Sequence, residues 1–117
     1  MILDEKSIRR INRMLSLPVT GHEQDWDLEM SDPTRLSEFI ALYRRAGDNF
    51  EVRDKQALMA LILASCQEAI QRDSIAPSVA MEIRVLLEQD FEIHRELISY
   101  WTEYFENDRR IGNILPT

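Results

Sequence analysis

Cysteine occurs once in the 117 residues, glycine three times and proline four times. With Cys66 alone, no internal disulfide forms, so the fold must be held by burial of apolar surface. The scarcity of glycine and proline removes the usual punctuation of short-stranded folds and points to long elements. Gly21, Gly47 and Gly112 stand far apart, which excludes a phosphate-cradling nucleotide loop. There is no G-x-S-x-G segment and no paired Cys and His spacing, so the common nucleophile arrangements are missing as well. The longest apolar run has eight residues, far short of the roughly 20 that a bilayer span needs. The opening Met1-Ile2-Leu3-Asp4-Glu5 lacks the basic and apolar regions of a signal peptide, so a cytoplasmic location is expected.

Bases are also missing from one stretch. Residues 14–34 hold five acids and no Lys or Arg, whereas residues 1–13 carry Lys6, Arg9, Arg10 and Arg13 against Asp4 and Glu5. The whole chain has a net charge of -7, which disfavours binding to nucleic acid and favours neutral or basic partners. Apolar residues make up 44% and charged residues 30%, the balance of a folded protein.

What is present is dominated by Ala57-Leu58-Met59-Ala60-Leu61-Ile62-Leu63-Ala64. Strong helix formers fill this run and its polar flanks, which predicts one central helix over about 52–72, buried on several sides. Cys66 falls inside it and reads as a small hydrophobe. Ile8, Ile11 and Leu15 recur at helical spacing and predict a first amphipathic helix over about 4–15 with a basic outer face. Ser31-Asp32-Pro33 is a helix start, and Leu36, Phe39, Ile40 and Tyr43 form the core face of a helix that stops at Gly47. Beyond Pro77, apolar residues from Val79 to Phe105 keep helical spacing. They form either one helix over about 77–106 or two that meet near Gln89-Asp90. Ile111, Ile114 and Leu115 of the tail are placed to pack back. The expected architecture is a single all-α domain over 1–117, a bundle of four to five helices.

Between the first two helices, Asp25-Trp26-Asp27-Leu28-Glu29-Met30 alternates acids and apolar residues. This predicts an extended strap with Trp26, Leu28 and Met30 facing inward and the carboxylates facing out. Glu23, Asp25, Asp27, Glu29 and Asp32 then form a row whose self-repulsion is relieved by a basic partner or by the chain's own Arg10, Arg13 or Arg35. Tyr100 with Tyr104, and Trp101 with Phe105, occupy two helical faces, so one pair is core and the other is a candidate contact surface.

The segments Asp25-Trp26-Asp27-Leu28-Glu29, Asp32-Pro33 and Ala57 to Ser65, with Phe39, His94 and Tyr100-Trp101, resemble a group of small acidic bacterial proteins. The resemblance spans about residues 24–101. It implies a bacterial cytosolic protein and carries no activity with it.

The expected function is a non-catalytic protein-binding module, such as an immunity or inhibitor protein, that caps a basic partner through Glu23, Asp25, Asp27, Glu29, Asp32, Tyr100 and Tyr104. No cofactor is called for. Two alternatives belong to other classes. One is a metal-dependent enzyme or metal-binding protein using His94, Asp90 and the strap carboxylates, with His22 as a further ligand. Against calcium, the Asp25-x-Asp27-x-Glu29 pattern has Met30 and Leu36 where a calcium loop needs Gly and Glu. His94 lies on the apolar stripe between Phe91 and Ile98, which favours a core histidine bonded to Asp90. The other alternative is a nucleic-acid regulator built on Lys6, Arg9, Arg10 and Arg13.

Overall fold

A computed structural model describes residues 2–104 and 114–116, the side chain of Tyr104 excepted. The central element is α4, Val52–Gln71, and α1 (Glu5–Leu15), α2 (Trp26–Glu29), α3 (Leu36–Ala46) and α6 (Phe91–Tyr104) all pack on it. The remaining helix, α5 (Pro77–Gln89), packs on α6. The fold is all-α: among the described residues there is no strand, and no helix is long and apolar enough to cross a membrane. The apolar run of α4 makes it the hub because every residue from Ala57 to Gln67 is buried. Leu58, Leu61 and Ile62 are fully enclosed, and Cys66 sits among them with burial pushing its thiol up to about 12.

Local chemistry explains the helix ends. Asp4 caps α1 by accepting from the Ser7 N–H at 3.1 Å. The helix closes at Ser16 in the left-handed region (φ 51), which lets the Leu17 N–H reach the Asn12 carbonyl at 3.0 Å. Asp32 caps the 3-10 turn Pro33–Arg35 that leads into α3, with Pro33 in the first position, where its missing N–H costs nothing. At the head of α4, Glu51 and Asp54 form a reciprocal capping box.

Two expectations change. Residues 77–106 do not form one helix, since α5 ends at Gln89 and α6 begins at Phe91. At the break, the Asp90 carboxylate takes hydrogen bonds from elsewhere in the fold. Nor is there an extended strap. Trp26–Glu29 is one turn of helix, closed by the Glu29 N–H on the Asp25 carbonyl and the Met30 N–H on the Trp26 carbonyl, both at 2.9 Å. Helical spacing turns Trp26 and Met30 toward the core and leaves Leu28 43% exposed. The described residues therefore hold six α-helices, one of them a single turn, instead of four to five. In the tail, Ile114 and Leu115 are buried in the common core, as expected, whereas Ile111 and Phe105 lie outside the described residues.

Candidate functional site

The acidic turn is fixed at both ends. Trp26 is buried, and its Nε1 donates to Asn12 Oδ1 of α1 at 2.7 Å. Further on, the Asp32 N–H donates to Ser65 Oγ of α4 at 3.0 Å, and Ser31 Oγ reaches Glu68 Oε2 at 3.1 Å. The carboxylates do not form the expected single row. Glu23 folds back on its own loop, taking the N–H groups of Thr20 and Gly21, which holds its carboxyl below the usual range. Asp32 is spent on Thr34 N–H and hydroxyl. Asp27 is half-buried, and desolvation raises its pKa, with the neighbouring Asp25 acting in the same direction. Only Asp25 and Glu29 stand exposed, one helical turn apart, with Glu29 Oε2 accepting from the Asp25 N–H at 2.9 Å. Among the described residues no arginine neutralises them: Arg10 pairs with Asp54, and Arg35 pairs with Glu38 while donating to the Leu15 carbonyl.

Tyr100 belongs to a different place. It lines a groove of about 570 Å³ between α6 and the first half of α4, with Gln56, Ile93, Glu96, Ser99 and Glu103 among the lining residues. Gln56 Nε2 donates to the Ile93 carbonyl at 3.0 Å and so ties the two helices together. The ring of Tyr100 is 39% exposed and stands edge-on to the buried Trp101 at 5.9 Å between centroids. Helical spacing puts Glu96 one turn before Tyr100 and Glu103 one turn after it. Arg95 also lines the groove and is paired with Glu92 at 2.6 Å, whereas Glu96 and Glu103 form no ion pair among the described residues. Tyr104 is the last described residue of α6, and its side chain lies outside the described residues. The acidic turn is joined to α4 at Ser65 and Glu68, and the Tyr100 groove at Gln56. The two parts of the expected contact surface are therefore separate.

The polar group that sequence reasoning foresaw only in part is buried. His94 is fully enclosed, and its Nε2 lies 2.7 Å from the hydroxyl of Tyr43, which in turn lies 2.6 Å from Asp90 Oδ2. Lys55 Nζ approaches the same carboxylate oxygen at 3.5 Å. A carboxylate only accepts, so the single Tyr43 proton goes to Asp90 and His94 must donate from Nε2–H to the tyrosine oxygen. Nδ1 is then a bare acceptor, and it finds no partner among the described residues. Burial lowers the His94 pKa to about 4, and the Lys55 charge works the same way against the opposing pull of Asp90. Desolvation and the Asp90 hydrogen bond raise the pKa of Tyr43 well above its ordinary value. The expected His94–Asp90 bond thus runs through Tyr43, which the sequence had marked only as a core residue. Buried at His94 and Tyr43 and reaching the surface at Asp90 and Lys55, this chain of bonds joins α3, α4 and the α5–α6 break.

A second buried charge lies at the head of α4. Asp54, only 4% exposed, accepts from Ser7 Oγ and Arg10 Nη1, both at 2.7 Å, and from the Glu51 N–H at 3.0 Å. The one local signal is Glu51-x-x-Asp54, an unusual all-acid version of a capping box. His22 is exposed on the connector, away from any such group. Among the described residues no three His, Cys, Asp or Glu side chains stand close enough together to hold a metal ion. Comparisons with protein families, curated proteins and solved structures found no match, so the functional reading rests on the chain's own residues.

Proposed function

We propose that the chain is a non-catalytic protein-binding module whose acidic surface receives a basic protein, with the α6 groove as the docking site. The observation that carries this reading is Tyr100, exposed between Glu96 and Glu103 beside the start of α4. An arginine or lysine of a partner that lies over the ring gains cation–π attraction, and the two carboxylates take its N–H groups from either side. The net charge of -7 speeds encounter with a cationic surface, as an immunity or inhibitor protein that caps a basic toxin requires. Asp25 and Glu29 add to this long-range field without belonging to the groove.

Binding kinetics against a panel of folded basic proteins, including basic nuclease domains, test the reading. Association with the true partner should slow steeply as salt rises, and Tyr100→Ala should speed dissociation about tenfold or more. An on-rate indifferent to salt, or binding unchanged by both Tyr100→Ala and Glu96→Lys, contradicts the reading.

A further inference from the structure

The basic face of α1 is not fully neutralised by the chain's own acids. It borders an open cleft of about 1010 Å³ between α1 and the head of α4. The buried Ser7 and Asp54 lie at its base, where Arg10 is consumed by its 2.7 Å bond to Asp54. Lys6, Arg9, Arg13 and Arg53 stand exposed around it. Arg9 and Arg53 make only solvent-exposed contacts, to Glu5 at 3.2 Å and to Asp4 at 3.4 Å, and such pairs hold little energy. Lys6 and Arg13 pair with no acid among the described residues. They lie two turns apart on one face, about 10 Å along the helix.

The acidic turn offers the complementary pattern. Asp25 and Glu29 are exposed one turn apart, matching the spacing of Arg9 and Arg13, and no base stands between residues 14 and 34. Turn and cleft are also neighbours, because Asn12, which lines the cleft, holds the Trp26 indole at the root of the turn. Neighbouring patches of opposite charge suit a two-fold axis, across which each copy presents its turn to the cleft of the other and the contact is made twice. A long polyanion fits less well, since Asp4, Glu5 and Glu51 also border the cleft and would repel a continuous run of phosphates.

We propose that the α1 cleft receives the acidic turn of a second copy of this chain, Asp25 and Glu29 of one copy meeting Arg9, Arg13 and Lys6 of the other. This surface is distinct from the α6 groove, so either proposal stands if the other fails.

Sedimentation equilibrium on the full chain tests it with the natural sequence, a Lys6→Glu/Arg13→Glu variant, an Asp25→Lys/Glu29→Lys variant, an equimolar mixture of these two variants, and Tyr100→Ala. All four positions are exposed, and circular dichroism checks that each variant keeps its helices; if one does not, the same pair replaced by Ala takes its place. The natural chain should show a dimer at low ionic strength that weakens about tenfold or more as salt screens the contacts. Each charge-reversed variant alone should be monomeric, and an equimolar mixture of the two should associate, because one cleft and one turn then match with the signs exchanged. Tyr100→Ala should leave the dimer intact. A monomeric natural chain at low ionic strength overturns the proposal. So does a dimer that survives both reversals, or a charge-reversed mixture that stays monomeric.

Discussion

The hydroxyl of Tyr43 stands between Asp90 and His94, 2.6 Å from the carboxylate and 2.7 Å from Nε2, and so fixes which proton each of the three groups carries. Tyr43→Phe keeps the ring's packing but leaves a partly buried carboxylate oxygen and a buried imidazole N–H without this partner. It should cost about 1–3 kcal/mol in urea melts. A loss below the error of the measurement would mean that the hydroxyl bonds contribute nothing to the fold.

The same arrangement sets a pH dependence. The folded His94 has its pKa lowered to about 4, whereas an unfolded histidine binds its proton near 6.5. Between these values the unfolded chain takes up more protons, so the contribution of His94 is fully present above about 6.5 and is lost as pH falls toward 4. The charged and polar groups facing it are Tyr43 of α3, Lys55 of α4 and Asp90 at the helix break. Across this window the native chain should lose about 3 kcal/mol to this group. Urea melts at intervals from pH 7 to pH 4 should show the decline, and His94→Leu should flatten it.

Trp26→Ala should destabilise by about 3–5 kcal/mol, because the indole is buried against α1 and its loss empties a core site. Trp26→Phe should retain most of the stability and lose about 1 kcal/mol with the Asn12 hydrogen bond. Charge reversal at Asp25 should leave the melting temperature almost unchanged, since an exposed acid contributes little to folding.

The central helix was legible because its evidence is local: an eight-residue apolar run has no placement except burial on several sides. Leu58, Leu61 and Ile62 obey it, and Leu61→Ala should cost about 2–5 kcal/mol in the same melts. The acidic turn was misread because a six-residue alternation fits two periods at once. Trp26 and Met30 are two steps apart along a strand face and one full turn apart on a helix, and the closing bonds to Asp25 and Trp26 selected the helix. The Asp90 carboxylate is held by Tyr43, 47 residues earlier, and the Asp54 carboxylate by Arg10, 44 residues earlier. Such long-range polar pairs leave no periodicity in a sequence. Tyr100 was visible as an aromatic of its helix, but its groove is formed with Gln56 of α4, which donates to the Ile93 carbonyl, a contact between helices that has no local signature.

Ser16 holds a left-handed conformation at the end of α1, φ 51, where a side chain is strained and glycine is not. Ser16→Gly should therefore raise stability by about 0.5–1 kcal/mol, despite the greater freedom it gives the unfolded chain. A thermal melt that moves downward would show that the seryl side chain offsets this strain.

Partner binding is assigned to the α6 groove. Its most direct test is a titration of a short peptide of alternating arginine and leucine into isotope-labelled protein, followed by amide chemical shifts. The expected result is a saturable set of shifts centred on Gln56, Glu96, Ser99, Tyr100 and Glu103, lost in Tyr100→Ala while the rest of the spectrum stays in place. Shifts spread over every exposed acid, with Asp25 and Glu29 moving as far as Tyr100 and the Tyr100→Ala variant behaving like the natural chain, would contradict it.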